Sequence, residues 1–405
     1  MLSNRPAPAR TLPSGGPSPA GLGPVWPAVA AFAGVAAVLF LVMGAVAPHL
    51  PRASGPHLAP PFTGPSWLAG WAQWDSGWYH EIASKGYSYV AGRQSTVAFF
   101  PAYPLVMRAV APVVGDVYVA GVVVTLLAGA AAAALLFTWL RSRLSAPAAW
   151  AALAAFLLFP YAFFLYGVVY ADALFIAALL GAFLLLEDDR PFLAGMAGAV
   201  ATAARPVGIV LVVGLAVRAL ERRGVFERSP AGDRRVDWRR ARWADAGVLV
   251  SAAGLGAWCV YLWARFDDPF AFASAQAAWH QGAGPATWLK FQFFHDIADL
   301  RSPRAWVLFM AHPVLTLAAA ALLPRVFRRF GVGYGVYASL LIGLSALSTK
   351  NFFGMARYLL AAFPVFAVLG ELLVERPALR RAALGASGVS LVVLTAIFGT
   401  GYYLS

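Results

Sequence analysis

Long runs of uncharged apolar residues recur along this 405-residue chain. The segment VYVAGVVVTLLAGAAAAALLFTWL, at 117–140, holds no charged residue and is long enough to cross a bilayer as a helix. Only 12% of all residues are charged, against about 25% in soluble domains. A soluble fold would have to bury about ten such segments in one core. The sequence therefore predicts an all-α polytopic membrane protein.

Hydropathy divides the chain into full spans and one interrupted stretch. The interrupted stretch is 192–217, which is apolar except for Arg205-Pro206 at its middle. Nine segments are predicted to be full transmembrane helices: 25–47, 117–140, 148–165, 170–186, 245–264, 305–323, 332–349, 358–374 and 382–403.

The distribution of basic residues predicts the topology. If the N-terminus is cytoplasmic, 20 of the 31 lysines and arginines lie inside and 10 outside, as the positive-inside rule requires. Segments 187–191 and 218–244 are then both cytoplasmic, so 192–217 does not cross once. It is predicted to be a re-entrant hairpin of two helices, each roughly 18 Å long, with Arg205 near mid-membrane. A single kinked helix is the alternative.

The remaining segments define the domain organisation. Residues 1–24 are rich in Pro, Ser and Gly and are predicted to be a disordered cytoplasmic tail, and 25–405 to form one transmembrane domain. The outer segments 48–116 and 265–304 are too long for connectors and are rich in aromatics, so we expect amphipathic helices at the outer surface. The formal charge of +13 lies mostly in loops between spans. Membrane lipids, and not nucleic acid, are therefore the expected partners.

The densest block of polar and aromatic residues is 70–108, where Asp75 lies between Trp74 and Trp78. Aromatic neighbours partly desolvate a carboxylate and raise its pKa, which suits it to work as a general base. An ordinary cap or solvated residue of an interfacial helix is an equally good interpretation. Trp74, Tyr79 and His80 are the nearby candidates for orienting a sugar or acceptor. For His80 the polar face of the same helix is the favoured interpretation.

Charged residues in or beside the spans supply further candidates. Arginine within a membrane is costly and marks function, and guanidinium groups bind phosphate through paired hydrogen bonds. Arg205 and Arg357, with Lys350 close to the latter, are therefore predicted to bind a phosphate. The alternatives are a structural ion pair for Arg205 and snorkelling to the interface for Arg357.

Two more residues are candidates for orienting the substrates. Asp172 begins the fourth predicted span, where it either favours the helix N-terminus or orients a sugar hydroxyl. His280, in the second outer segment, is the other candidate. The spacing of His, Cys, Asp and Glu is not typical of metal ligands, and no cofactor is expected. A divalent cation between Asp75 and Asp172 remains a weaker alternative.

These residues lie in strings that resemble a known family. QWDSGWYHEIASKGY (73–87) and AFFPAYPLVMR (98–108) are similar to the first luminal loop of PIG-V type mannosyltransferases, which include GPI mannosyltransferase 2. That loop reads Arg-Trp-Asp, Ile-Ala-x-x-Gly-Tyr and Phe-Phe-Pro-x-x-Pro, and Gln73 stands here in place of the Arg. The strings LFPYAFFLYGVVYADALF, ATAARPVG and ARYLLAAFPVF resemble later elements of the family, in the family's order.

The family belongs to the GT-C superfamily of multispan glycosyltransferases. The resemblance, which extends over about 66–375, therefore implies a GT-C-like helical bundle and a polyprenyl-phosphate sugar donor. It also implies a catalytic carboxylate in the first outer loop, which by position is Asp75.

The predicted function is that of an inverting glycosyltransferase that uses polyprenyl-phosphate-mannose at the outer face of the membrane. The acceptor is a lipid, a glycan or a protein. Heavy use of Ala, Gly and Arg suggests a GC-rich bacterial genome. We therefore expect a multi-pass protein of a bacterial plasma membrane. Three alternatives stay open. One is a secondary transporter or lipid flippase, because transporters also place broken helices and buried charge at mid-membrane. The others are a non-catalytic subunit of a glycosylation complex and a GT-C enzyme that moves another sugar.

Overall fold

A computed structural model of the protein describes residues 25–50, 53, 62–228, 234–279 and 284–404. The predicted tail 1–24 and His280 lie outside the described residues. The α-helices are, in chain order, α1 (Trp26–Leu41), α2 (Ser76–Lys85), α3 (Ala102–Val114), α4 (Val117–Arg141), α5 (Ala146–Leu157), α6 (Asp172–Glu187), α7 (Pro191–Ala204), α8 (Ile209–Arg222), α9 (Ala253–Phe266), α10 (Ala271–Ala277), α11 (Pro285–Trp288), α12 (Phe291–Asp299), α13 (Pro303–Phe330), α14 (Val332–Ser348), α15 (Met355–Tyr358), α16 (Phe363–Val374) and α17 (Pro377–Gly399).

Other regular elements are short. Two strands, β1 (Phe226–Arg228) and β2 (Arg234–Val236), pair antiparallel with Phe226 opposite Val236. They lie in the arginine-rich segment between α8 and α9. Because the other regular elements of the described residues are helical, the predicted all-α class is confirmed. The 3-10 helices are Ala47–His49, Ser66–Trp71, Thr96–Ala98, Ala162–Leu165, Pro206–Gly208, Trp238–Arg240, Trp243–Ala252 and Leu359–Ala361, and Val42–Val46 is a π-helical turn.

Several helices are long and apolar enough to cross a membrane, which makes this a multi-pass membrane protein. Five such spans occur among the described residues, and α15 with its 3-10 extension plus α16, bent by 84°, would make a sixth. The prediction of nine full spans is therefore not confirmed. The five spans are Trp26–His49, Val117–Arg141, Trp243–Phe266, Ala305–Phe330 and Pro377–Gly399.

The bounds of the predicted span 148–165 are wrong. Its helix ends at Leu157, and residues 158–171 are buried but mostly irregular. Hydropathy measures apolarity and not conformation, so it does not distinguish a transmembrane helix from a buried irregular segment. Irregular backbone is tolerated at this depth only where protein surrounds it and satisfies its polar groups. One such contact is the hydroxyl of Thr125, which donates to the Val168 carbonyl at 3.0 Å.

The predicted hairpin at 192–217 is confirmed. Helices α7 and α8 are separated at Arg205, whose extended backbone (φ −151°, ψ 144°) is the conformation that a following proline favours. The far ends of the two helices meet, because Arg222, at the end of α8, donates to the Glu187 carbonyl at 2.8 Å, just before α7 begins. Arg218 bonds the Glu187 carboxylate as well, at 2.8 Å. The chain thus returns to the level from which it started, which a single kinked helix does not do.

Close packing fixes the hairpin against the span Trp243–Phe266. A Cβ atom at Gly254 would lie 2.0 Å from the Ala199 carbonyl, and one at Gly195 would lie 2.2 Å from the Gly247 carbonyl. Only glycine allows the backbones to approach this closely, as is common where membrane helices pack. The position of the Arg205 turn is therefore set by backbone contact along α7.

Described residues of the two long segments that are predicted to lie outside, 48–116 and 265–304, pack against each other. Val97, Ala98 and Phe100 from the first form a small apolar core with residues of α9 and α10. Trp78 and Trp279 extend this contact, with ring centroids 5.6 Å apart. The helices expected in both segments are present, as α2 and α3 in the first and α10 to α12 in the second. Together the segments close one side of the cavity that contains Asp75.

Candidate active site

Asp75 lies immediately before α2 in a constrained backbone. Trp74, the residue before it, has φ +54°, a left-handed conformation that is costly for a bulky side chain. Such strain persists only where surrounding structure enforces it, and it concentrates at functional sites. The N–H group of Asp75 donates to the Tyr170 hydroxyl at 3.0 Å. The buried segment before α6 therefore helps to hold Asp75 in place.

The Asp75 carboxylate faces a cavity of about 140 Å³. Within the described ranges its oxygens accept no hydrogen bond, so they are free to take a proton. Burial raises the pKa of the Asp75 carboxyl above its ordinary value of 3.8, while Arg357 lowers it and Asp172 raises it. These are the properties that the sequence predicted for a desolvated base.

Asp172 is the first residue of α6 and contacts two arginines. Its Oδ1 forms an ion pair with the Arg205 guanidinium and lies 3.6 Å from Nε of Arg357. The Asp172 side chain is buried, and a buried charge is stable only when it is paired. The structural ion pair considered for Arg205 therefore exists. It joins the hairpin turn to the start of α6 and to the turn that carries Arg357.

Both guanidinium groups also lie over aromatic rings. Arg205 is 4.8 Å from the centroid of the Tyr358 ring, and Arg357 is 5.2 Å from the same centroid. The rings of Phe164 and Tyr170 lie 5.1 Å and 5.3 Å from Arg357. Cation–π contacts of this kind hold a cation that is removed from water. Arg357 is only 8% exposed, so it does not snorkel to an interface.

The cavity brings together five of the residues predicted for the site, because Asp75, Tyr79, Asp172, Arg205 and Arg357 all line it along with further aromatic residues. Two carboxylates, two guanidinium groups and several phenols thus surround one space. An anion is attracted by the arginines, and a hydroxyl group can be bound by the carboxylates.

Three predicted residues do not line this cavity. The Trp74 ring packs against Tyr403, with centroids 4.9 Å apart. The His80 ring stacks on Tyr118 at 4.2 Å, which agrees with the structural interpretation favoured for it. Lys350 lies in the turn after α14, and it is not among the lining residues. Proximity in sequence to Arg357 did not place Lys350 beside it in space.

Other lining residues were missed by sequence reasoning. Gln276 and Trp279 come from the second outer segment, and the Gln276 amide donates to the Ala98 carbonyl at 3.4 Å. His280, the residue predicted from this segment, lies outside the described residues. Tyr170 was present in the string around Asp172, so its aromatic ring was a usable signal. Tyr403 follows α17, and its sequence surroundings contain no signal.

The donor set does not favour a metal ion. No group of three His, Cys, Asp or Glu side chains able to hold one occurs in the part of the chain that the structure describes. Asp75 and Asp172 share the cavity, yet Asp172 is already neutralised by two guanidinium groups. A divalent cation there would be repelled by both arginines.

The fold places the chain in a class. No protein-family model matches the sequence, and no curated protein is similar enough to count as a relative. The likeness to one solved structure, ArnT, shows that the helical arrangement is that of the GT-C fold.

One similar structure is ArnT from Cupriavidus metallidurans bound to undecaprenyl phosphate, with a TM-score of 0.50 and 16% identity over 90% of this chain and 63% of ArnT. Another is the Archaeoglobus fulgidus oligosaccharyltransferase tethered to an acceptor peptide, with a TM-score of 0.45 and 11% identity over 94% of this chain and 56% of that protein. A third is the archaeal oligosaccharyltransferase AglB from Archaeoglobus fulgidus in complex with an inhibitory peptide and a dolichol-phosphate, with a TM-score of 0.44 and 12% identity over 92% of this chain and 55% of that protein. The chain thus spans less than two thirds of each.

Proposed function

We propose that this protein is an inverting glycosyltransferase that transfers mannose from a polyprenyl-phosphate donor to an acceptor hydroxyl. The observation that carries the proposal is the shared cavity, which the Asp75 carboxylate lines together with Arg205 and Arg357, both paired with Asp172. A base and an anion site in one space are what transfer from a phosphate leaving group requires.

Asp75 acts as the general base. It takes the proton of the acceptor hydroxyl while the acceptor oxygen forms a bond to the anomeric carbon of the donor sugar. The bond between that carbon and the phosphate oxygen breaks, and its electron pair leaves with the lipid phosphate. Attack from the face opposite the leaving group inverts the configuration. The raised pKa of Asp75 makes its carboxylate a better proton acceptor than an ordinary aspartate.

Arg205 and Arg357 bind the donor phosphate and stabilise the charge that develops on it. Because Asp172 and the aromatic rings already hold the two guanidinium groups, little reorganisation is needed during the reaction. The remaining lining groups, including Tyr79, orient the sugar. Lys350 does not line the cavity and has no part in this proposal.

The identity of the donor rests on two further observations. ArnT, which has a similar fold, was determined with undecaprenyl phosphate bound, and this supports a polyprenyl-phosphate carrier. The resemblance of 73–108 to PIG-V type mannosyltransferases supports mannose. The excess of basic residues in the loops assigned to the cytoplasm supports an active site at the outer face of a cell membrane, with a lipid, glycan or protein as acceptor.

The decisive experiment is an assay of the purified protein in lipid vesicles that contain radiolabelled polyprenyl-phosphate-mannose and a membrane extract as the source of acceptor. We expect label to move from the donor to a new product. A transporter or flippase would move labelled donor across the bilayer without forming product. A non-catalytic subunit would do neither, and either result would contradict the proposal.

A further inference from the structure

Arg357 is carried by a very short helix. Helix α15 is a single turn, Met355–Tyr358, that begins after Gly354 in the left-handed region (φ +86°). Beyond the 3-10 turn that follows, the next helix is inclined by 84°. One helical turn is not stable alone, because the entropy lost on forming it exceeds what its few hydrogen bonds return. Something outside this turn must therefore hold Arg357 in place.

The N–H groups at the start of the turn show what holds it. Those of Met355, Arg357 and Tyr358 donate to backbone carbonyls. That of Ala356 instead donates to Nδ1 of His312, at 3.3 Å, on the neighbouring span α13. The first N–H groups of any helix lack partners within the helix. His312 thus supplies an acceptor that the turn itself does not provide.

A residue at the N-cap position normally fills this role with a side-chain oxygen. Here that position is Gly354, which has no side chain. The glycine is needed for the left-handed backbone, so the local sequence is unable to provide both the turn and the cap. A side chain from another helix resolves this conflict.

His312 is itself tightly held. It is 1% exposed, and its ring lies between those of Tyr161, at 5.1 Å, and Phe353, at 5.0 Å. Because Nδ1 accepts a hydrogen bond, the ring proton is on Nε2, which lies 3.5 Å from the Tyr161 hydroxyl. The ring is therefore neutral, which is the form suited to a place beside the cation Arg357.

We propose that His312 is a positioning residue for the donor site, which caps the α15 turn from α13 and so fixes the direction of the Arg357 guanidinium. The proposal rests on the proposed function, in which Arg357 binds the donor phosphate. Ionisable residues within membrane spans are costly and rare. Capping of this turn gives a role to a buried histidine that is not among the lining residues of the Asp75 cavity.

The test compares His312→Leu, which loses the acceptor, with His312→Asn, whose side-chain oxygen lies close to the position of Nδ1. Thr316→Val is the matched control, because its buried hydroxyl bonds the backbone carbonyl of His312 on the same face of α13 but not the α15 turn. Two quantities are measured in detergent: the Kd for undecaprenyl phosphate, used as the probe, and the KM for the mannosyl donor.

We expect His312→Leu to raise both the Kd and the donor KM about fivefold, as loss of one hydrogen bond predicts. The acceptor KM should not change, and His312→Asn should restore the values. A merely structural role would lower the amount of active enzyme and leave the Kd and the donor KM unchanged. A folded His312→Leu protein with wild-type Kd would overturn the proposal, and so would an equal rise in Thr316→Val. If the wild-type protein transfers no sugar, the proposed function fails, while the probe still tests His312.

Discussion

The two ends of helix α6 carry the same kind of charge cluster but in different states. At the end that is predicted to be cytoplasmic, Arg218 donates to both carboxylate oxygens of Glu187, at 2.8 Å and 3.2 Å. The Tyr334 hydroxyl also donates to Glu187 at 2.9 Å, and Arg143 lies 3.3 Å away. This cluster ties the base of the hairpin to α6 and α14.

At the other end Asp172 contacts two arginines, each through Oδ1. Its partners Arg205 and Arg357 face a cavity that Asp75 shares. In both clusters one carboxylate lies among several arginines. What distinguishes the two clusters is whether the charged groups pair with each other or also face a cavity. On this criterion we expect the Glu187 cluster to be structural and the Asp172 cluster to be functional.

The sharpest test of this contrast is Arg357→Ala. Loss of a preorganised cation beside the leaving group should lower kcat/KM by roughly 10²–10³-fold. The change is measured in the mannosyl transfer assay at equal amounts of folded protein. Arg143→Ala removes an arginine from the Glu187 cluster and is the matched control. Comparable losses of activity per folded molecule in the two variants would remove the functional distinction.

Arg205→Lys should have a smaller effect. Lysine keeps the positive charge and loses the planar fork that binds Asp172 and phosphate together. We expect the donor KM to rise about tenfold, because the loss of one charge-assisted hydrogen bond weakens donor binding by about that factor. The acceptor KM should change little. A wild-type donor KM, measured by varying the donor at saturating acceptor, would mean that Arg205 only stabilises the hairpin.

The pH dependence gives a third test. Only ionised Asp75 accepts a proton, so activity should fall as the pH drops through the raised pKa of Asp75 and not near 3.8. Asp172 raises this pKa, so Asp172→Asn should shift the acid limb of the residual kcat/KM to lower pH. A limb that stays in place in Asp172→Asn, or moves to higher pH, contradicts the assigned coupling.

The smallest effect on activity is expected at Glu187. Glu187→Gln breaks charge-assisted hydrogen bonds at the base of the hairpin and should lower the free energy of unfolding by about 1–3 kcal/mol. Thermal melting in detergent measures that loss. Activity per folded molecule should stay within about twofold of the wild type, since such a change is worth less than 0.5 kcal/mol. A large fall in kcat without a fall in stability would show that the two clusters are not separate.

Sequence reasoning was most reliable where charge limited the alternatives. The alternation of spans and the arginine-rich segment 218–244 predicted a hairpin at 192–217, and Arg205-Pro206 is where the helix breaks. Arg205 and Arg357 were predicted because arginine within a membrane is costly, and Asp75 because aromatic neighbours desolvate it. The structure brings the three together.

Sequence reasoning was least reliable where backbone conformation or a tertiary contact determines the structure or the role of a residue. Residues 158–171 are as apolar as a span but are held irregular by side chains from elsewhere in the chain. Lys350 is near Arg357 in sequence, yet the backbone turns between them. His312 is a single histidine in an apolar helix, and only the contact with Ala356 gives it a role.

The central claim is that Asp75 is a catalytic base, and Asp75→Asn tests it most directly. The variant keeps the size of the side chain and should still bind undecaprenyl phosphate. Because burial raises the pKa of Asp75, its ionised form costs stability as the pH rises through that pKa, so the variant should melt no lower than the wild type at neutral pH. Glu81→Gln, in helix α2, which begins directly after Asp75, is the matched control.

Turnover, measured as mannosylated acceptor, should fall at least about a hundredfold in Asp75→Asn, the usual contribution of a general base. Glu81→Gln should remain close to the wild type. Wild-type turnover in folded Asp75→Asn would contradict the account.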